Sequence, residues 1–335
     1  EKLGMKLKKK LRIALVDEGP IAPVSKALLR IIQSRYDVEL TRDYHADYVI
    51  HSCSGYEVLK YSGIRIYVTG ECVSPDFNIS DYAMGFDHIQ FADRYQWLPL
   101  LRLYSAAYKA LQSTRIPAEE IICQKRKFCA YVMSNTSNSA NDRSEIFDAI
   151  SNYKTVSSGG KWRNNVGGLV KNKIEFQSKY KFAIAFENHS KPGYLTEKFA
   201  QAAQSGCIPI YWGDPDIGKY FNEKAFINCH RYKSLDEVVE RIIEIDQNDG
   251  EYRNMLSEPW FTNAEEPEIL HEDTILDFLS EIFEAPIDHA YRRNRSRWGK
   301  KYESQIYNMF FRPHKQLFTL MRLEKKRLFQ KVTNK

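Results

Sequence analysis

No run in the 335 residues approaches the roughly 20 consecutive apolar residues of a membrane-spanning helix, so an integral helical membrane protein is excluded for this sequence. None of the six cysteines forms a C-x-x-C pair, and no two of the eight histidines stand in H-x-x-x-H spacing, so the usual zinc patterns are missing. A chain of this length does not need disulfide staples, and the cysteines read as free thiols buried in a reducing compartment. Internal repeats and heptads are also absent. Apolar residues make up 43% and charged residues 27%, which excludes general disorder and is enough to build a core.

What is present is uneven in charge. The net +6 conceals a tail, residues 291–335, with 14 Lys or Arg against 2 Glu, behind a mildly acidic body. Ile306, Met309, Phe310, Leu317, Phe318, Leu320, Met321, Leu328 and Phe329 punctuate that tail, with Pro313 as a break. A basic amphipathic segment suits an anionic membrane surface, and packing back on the body is the alternative. No nucleic-acid motif accompanies it.

Short apolar runs alternate with amphipathic segments, the pattern of an α/β protein with parallel sheets. Strands are expected at Leu11–Val16, Asp47–His51, Ile64–Thr69, Phe128–Met133, Phe182–Phe186 and Ile208–Trp212. Helices are expected at Val24–Tyr36, Asp93–Leu111, Arg143–Asn152, Thr196–Ser205, Ser234–Asp246 and Thr274–Phe283. Ser234 with Glu237 forms a capping box, and Leu235, Val238, Val239, Ile242 and Ile243 share one face. The polar stretch 112–126, which includes Pro117, reads as a linker. The expected domains are therefore 1–111 and 127–285, with 286–335 as the basic tail.

The segment richest in chemistry runs from Lys181 to His230. A buried strand delivers Glu187 and Asn188 at its carboxyl end, where open α/β sheets bind ligands. A helix then starts near Thr196 and stops at Gly206. Lys198 in its first turn opposes the helix dipole, which a bound phosphate would reverse; a Glu197–Lys198 pair pointing into water is the alternative. Asp214-Pro215-Asp216 is compatible with a metal motif or with a turn that caps a helix. The pairs Gly159-Gly160 and Gly167-Gly168, flanking Arg163, could form a loop over a nucleotide, and His189 either lines the cleft or is a plain loop residue.

The stretch F-E-N-x(5)-Y-L-T-E-K followed by G-C-I-P-I-Y-W-G-D-P resembles the signature of the α1,3-fucosyltransferases of glycosyltransferase family 10, its bacterial members in particular. Tyr67–Glu71, Ser74–Asn78 and Asp81–Asp87 resemble the family's first-domain motif. Phe128–Asn135 with Arg143, and Val156–Gly160 with Arg163-Asn164, resemble its nucleotide domain. The resemblance covers roughly Leu11 to Phe283. It implies a GT-B fold, two Rossmann-like domains facing a cleft, and inverting transfer of L-fucose from GDP-fucose to the GlcNAc of a Gal-GlcNAc (N-acetyllactosamine-type) acceptor, in α1,3 or α1,4 linkage. It implies Glu71 as general base and Arg143 and Lys198 on the GDP phosphates. Ser134, Asn135, Asn188, Tyr194 and Glu197 are the other implied donor contacts. Two cations can replace a divalent metal, so no obligatory cofactor is expected. The implied setting is the bacterial cytoplasm, peripheral at the inner membrane, with Lewis-type or lipopolysaccharide glycans as products. The competing readings are a GT-B enzyme using another sugar nucleotide and a non-catalytic protein that binds membrane or nucleic acid through its tail.

Overall fold

A computed structural model describes residues 8–19, 22–113, 115–124, 127–134, 142–293 and 296–313. The chain divides into two compact units. The first takes residues 1–85, 91–96 and 278–335, and the second takes 86–90 and 97–277.

The first unit is built on a six-stranded sheet in the order β2-β1-β3-β4-β5-β6. Its strands are β1 Lys10–Val16, β2 Asp37–Leu40, β3 Tyr48–His51, β4 Ile64–Val68, β5 Tyr82–Gly85 and β6 Tyr95–Trp97. The β1–β2, β1–β3, β3–β4 and β4–β5 pairs are parallel. Strands β3, β4 and β5 are buried at every position, as near-continuous apolar runs in a covered parallel sheet require. Helix α1, Ala22–Arg35, buries Val24, Leu28, Leu29 and Ile32, an i, i+4, i+8 stripe.

The second unit has a five-stranded parallel sheet in the order β11-β10-β9-β7-β8. These strands are β7 Lys127–Tyr131, β8 Val156–Ser158, β9 Tyr180–Phe186, β10 Ile208–Trp212 and β11 Ile227–Asn228. Its helices are α2 Ser105–Gln112, α3 Ala118–Gln124, α4 Asp142–Tyr153, α5 Lys173–Gln177, α6 Glu197–Gln204, α7 Leu235–Gln247 and α8 Asp249–Ser257. Phe182, Ile184 and Phe186 of β9 and Ile208 and Ile210 of β10 share a core with Ile146 and Ile150 of α4 and Val238, Ile242 and Ile245 of α7. Each such side chain contributes about 1.5–3 kcal/mol through burial. The expected cap on α7 is present: Ser234 Oγ accepts from the Glu237 N–H at 3.3 Å, and the Glu237 carboxylate accepts from the Lys233 N–H at 2.9 Å.

Three expectations are corrected. The chain does not divide at 112–126. Ile121 of α3 is buried in the core of the second unit, and Arg115 donates to the carbonyls of Met255 and Glu258 with its guanidinium 3.9 Å from the Trp260 ring centroid. That stretch is polar because it lies on a surface, not because it joins two domains. The helix expected at Asp93–Leu111 is instead β6, a 3-10 turn at Leu100–Leu103, and α2. Pro99 lacks an amide hydrogen and biases Leu98 away from helical angles, so no helix can run through it. Finally, the described part of the expected tail, residues 286–313, is not separate. After α9 Glu272–Glu284 and α10 Ile287–Ala290, helix α11 Arg297–Phe311 belongs to the first unit, and Ile306 and Tyr307 pack on its core. Residues 314–335 lie outside the described residues.

The return of the chain is fixed by buried charge. Asp81, fully buried, accepts from the backbone N–H groups of Arg65, Arg292 and Arg293 at 2.8 Å each and from Arg293 Nη1 at 2.7 Å. Arg65 reaches Glu303 of α11 at 2.7 Å.

Candidate active site

The second sheet reverses its winding between β7 and β9. The strand after β7 is added on one side and the strand after β9 on the other. At such a switch point the two outgoing connections part, leaving a crevice at the carboxyl ends of both strands. Several of the residues singled out in the sequence gather there, namely Arg143, Glu187, Asn188, Glu197 and Lys198. Arg143 lies in the first turn of α4, which leads from β7 to β8, and Glu187 and Asn188 leave the end of β9. Arg143 is buried and its Nη1 donates to Asn188 Oδ1 at 2.9 Å, bridging the switch point.

Glu187 organises the crevice from below. It is fully buried and accepts from the Thr196 N–H at 2.8 Å, Thr196 Oγ1 at 2.6 Å and Lys198 Nζ at 2.8 Å. Thr196 precedes α6, so the carboxylate satisfies one of the helix's orphan amides and holds Lys198 inward. The solvent-facing alternative for Lys198 therefore fails, since its side chain is only 19% exposed. Lys198 Nζ also donates to Thr196 Oγ1 at 3.0 Å, and an ammonium carries three protons, so one is left for a ligand. Glu197 lies 3.7 Å from it.

Lys173, the first residue of α5, completes the cluster and carried no signal in the sequence. It donates to Gln201 Oε1 of α6 at 2.7 Å. Burial pushes its ammonium down to about 8; Glu197 and Glu187 oppose the shift, while Lys198 and Arg143 add to it. Burial also works against the charge on Lys198, but Glu187 and Glu197 outweigh it and raise that ammonium above its ordinary value. Burial pushes the Glu197 carboxyl up, yet Lys198 and Lys173 bring it below its usual range. The crevice thus holds three cations against two carboxylates and suits a ligand with at least one negative charge.

The remaining candidates separate. Ser134 is exposed just beyond β7 and its Oγ accepts from the Lys161 N–H at 3.3 Å. Asn135 lies outside the described residues. Tyr194 is 1% exposed, in a T-shaped ring contact with Phe86 at 4.6 Å. His189 is exposed. Asp214 is buried and accepts from the Asp216 N–H at 2.8 Å, the geometry of a turn. Among the described residues no group of three His, Cys, Asp or Glu is placed to hold a metal ion. Glu71 belongs to the first unit, half-buried in the turn after β4. Its N–H donates to Thr69 Oγ1 at 3.0 Å, and that hydroxyl donates to the Glu71 carbonyl at 3.1 Å.

Sequence reasoning also missed what holds the loop before α6. Trp97 Nε1 donates to the Gly193 carbonyl at 3.1 Å, Tyr220 stacks on Trp97 at 5.0 Å, and Lys191 pairs with Asp87. Gly193 has φ +84°, and a Cβ there would lie 2.0 Å from the Phe86 carbonyl oxygen. Only glycine fits both conditions.

The two units match two halves of one family. Residues 13–104 match the N-terminal domain of α-(1,3)-fucosyltransferase FucT, and residues 122–272 match the C-terminal domain of glycosyltransferase family 10 (fucosyltransferase). The chain is 35% identical to α-(1,3)-fucosyltransferase FucT of Helicobacter pylori over 297 residues, covering 77% of this chain and 62% of that protein. It is 29% identical to a putative fucosyltransferase of Acanthamoeba polyphaga mimivirus over 72% of this chain and 40% of that one. The chain thus spans less than two thirds of these curated relatives. Among solved structures, an α1,3-fucosyltransferase with GDP-fucose aligns with a TM-score of 0.74 at 32% identity, over 88% of this chain and 96% of that one. The same protein class with GDP aligns at 0.73.

Proposed function

The chain belongs to glycosyltransferase family 10, the fucosyltransferases, with the two parallel α/β sheets of the GT-B fold, and on that premise we propose that it transfers L-fucose from GDP-fucose to a glycan hydroxyl. The observation that carries this reading is the gathering of Arg143, Lys173 and Lys198 at the switch point of the second sheet. A diphosphate is the ligand such a cluster would hold. Arg143 offers a fork suited to phosphate oxygens, and Lys198 offers its remaining proton.

Fucose transfer is proposed as a single inverting displacement. The acceptor oxygen bonds to the fucose anomeric carbon as the bond from that carbon to the β-phosphate oxygen breaks, through an oxocarbenium-like state. The acceptor proton goes to the Glu71 carboxylate, acting as general base. GDP leaves with the electron pair, and the cations stabilise the charge it gains. The acceptor is proposed to be the GlcNAc of a Gal-GlcNAc unit, in α1,3 or α1,4 linkage. Association of the basic residues beyond 313 with an anionic membrane surface is likewise proposed, from charge alone.

The test is transfer from GDP-fucose to N-acetyllactosamine, read by product mass, with UDP-sugars and other GDP-sugars as parallel donors. A product heavier by one fucose supports the reading. Turnover only with another donor replaces it by a different glycosyltransferase.

A further inference from the structure

The first-unit motif Ser74–Asn78 has no part in the chemistry above, yet it borders a cavity of about 160 Å³. The cavity opens at the carboxyl ends of β3 and β4 in the first unit. Its polar lining includes Ser74, Asp76 and Ser80, with His51 at the end of β3; Tyr56 and Tyr67 supply aromatic rings. Glu71 is one short turn away. Cys53 on the cavity wall lies 3.7 Å from Thr69 Oγ1, the hydroxyl that fixes the Glu71 turn, and the Tyr67 hydroxyl donates to the Val73 carbonyl at 3.2 Å.

The lining defines the ligand class. No Lys or Arg is among the described residues that line the cavity. His51 is neutral, because burial, with Arg65 and Arg293 nearby, pushes its imidazole down to about 3; its Nε2 is engaged with Ser80 Oγ at 2.9 Å. A carboxylate with no balancing cation repels phosphates and acids. Hydroxyls, a carboxylate and two aromatic rings suit a neutral molecule with hydroxyl groups and a weakly polar face. The volume is below the 300 Å³ or more of a drug-sized pocket, which fits one sugar ring better than an oligosaccharide.

Helix α11 holds two of the lining residues in place. Tyr302 donates to Asp76 Oδ2 at 2.6 Å, and Phe310 stacks on Tyr56 with centroids 4.0 Å apart. The Asp76 acceptor pushes the Tyr302 phenol up to about 12, so it remains a donor at ordinary pH. Asp76 Oδ1 accepts from the Asn78 N–H at 2.8 Å, which leaves Oδ2 a lone pair for a ligand hydroxyl.

We propose that this cavity is a subsite for one neutral sugar ring of the acceptor, and that α11 sets its specificity by positioning Asp76 and Tyr56. The acceptor role rests on the fucosyltransferase reading; the saccharide site does not. Asp76 touches the sugar, whereas Tyr302 and Phe310 are positioning residues.

Saturation-transfer NMR of the full chain with N-acetyllactosamine and no donor reads the site without the reaction. Asp76→Asn is expected to weaken saccharide binding at least fivefold. Tyr302→Phe, which keeps the ring and the helix, is expected to raise the acceptor KM three- to tenfold while the GDP-fucose KM and the rate of GDP-fucose hydrolysis change less than twofold. Undiminished saccharide binding in Asp76→Asn, or donor and acceptor KM rising together in Tyr302→Phe, overturns the proposal. So does a wild-type chain that binds no saccharide. Saccharide binding that is sensitive to Asp76, in a chain that turns over no GDP-fucose, would instead refute the fucosyltransferase reading and leave the subsite standing.

Discussion

Replacing Lys173 by Met should make the protein more stable and less able to bind GDP. Its ammonium titrates at about 8 in the folded chain, against an ordinary value of 10.5. The difference corresponds to roughly 3 kcal/mol of folding free energy lost whenever the group is charged. The sign follows from proton counting. Below pH 8 both folded and unfolded chains hold the proton, and the full penalty stands. Between pH 8 and 10.5 the unfolded chain holds more protons, so stability rises with pH. Above 10.5 the penalty is gone. Methionine removes the charge and also the hydrogen bond to Gln201, a loss of about 1 kcal/mol. The net gain at pH 7 is about 2 kcal/mol, on the order of 5 °C in Tm, and it should vanish by pH 10.5. The same change should weaken GDP binding at least tenfold at pH 7 in titration calorimetry. Wild-type affinity should fall as pH climbs through about 8, because a diphosphate favours the protonated form, and the variant should be flat over that interval. A Met variant that is less stable at pH 7 and binds GDP as well as wild type would refute the reasoning. It would show that Glu197 and Glu187 hold the ammonium at a net gain and that the cluster is an internal ion network.

Glu71→Gln should abolish transfer, with GDP affinity by calorimetry within twofold of wild type, and weak GDP binding would show that Glu71 is structural. Lys198→Met strands the fully buried Glu187 and should cost about 3–5 kcal/mol of stability by chemical denaturation. The double variant Glu187→Gln/Lys198→Met should recover most of that loss but not the GDP affinity, which separates the two roles of the lysine. Gly193→Ala meets both a left-handed φ and the Phe86 carbonyl, and should lower stability by about 2 kcal/mol or more; an unchanged Tm would mean the loop rearranges freely.

Sequence and structure agree where a residue's neighbours are local. Strands β1, β3, β4, β7, β9 and β10 announce themselves as apolar runs, and the Ser234 cap needs only Glu237 three residues on. The Lys181–His230 segment was legible for the same reason, since strand, loop and helix follow one another in the chain. Lys173 was not legible, because its partner Gln201 lies 28 residues away and nothing near Lys173 marks it. Strand β2, Asp-Val-Glu-Leu, is an exposed edge without an apolar run and owes its place to pairing with β1. Tyr194 is a further case of a distant neighbour. The resemblance implies it as a donor contact, and its burial beside Phe86, more than 100 residues upstream, is a feature that no local pattern shows. The division of the chain was hidden because residues 86–97 cross between units in a segment with no linker composition.

The buried carboxylate of Asp81 has a consequence for the order in which this protein can be made. Its partners Arg292 and Arg293 leave the ribosome some 200 residues after it, and until then its carboxylate lacks the bonded Arg293 guanidinium and two of its backbone donors, with Arg65 and Arg94 as the nearby charges. At ordinary elongation rates that delay is roughly 10–40 s. The second unit, whose residues 97–277 are contiguous apart from a five-residue insert from upstream, is complete before α11 exists. Folding should therefore run against the usual N-terminal-first order. The nucleotide half consolidates on the nascent chain while the amino-terminal sheet waits, its β3–β5 surface exposed to chaperones or to aggregation. Truncations near the carboxyl terminus would then be felt first at the opposite end of the sequence.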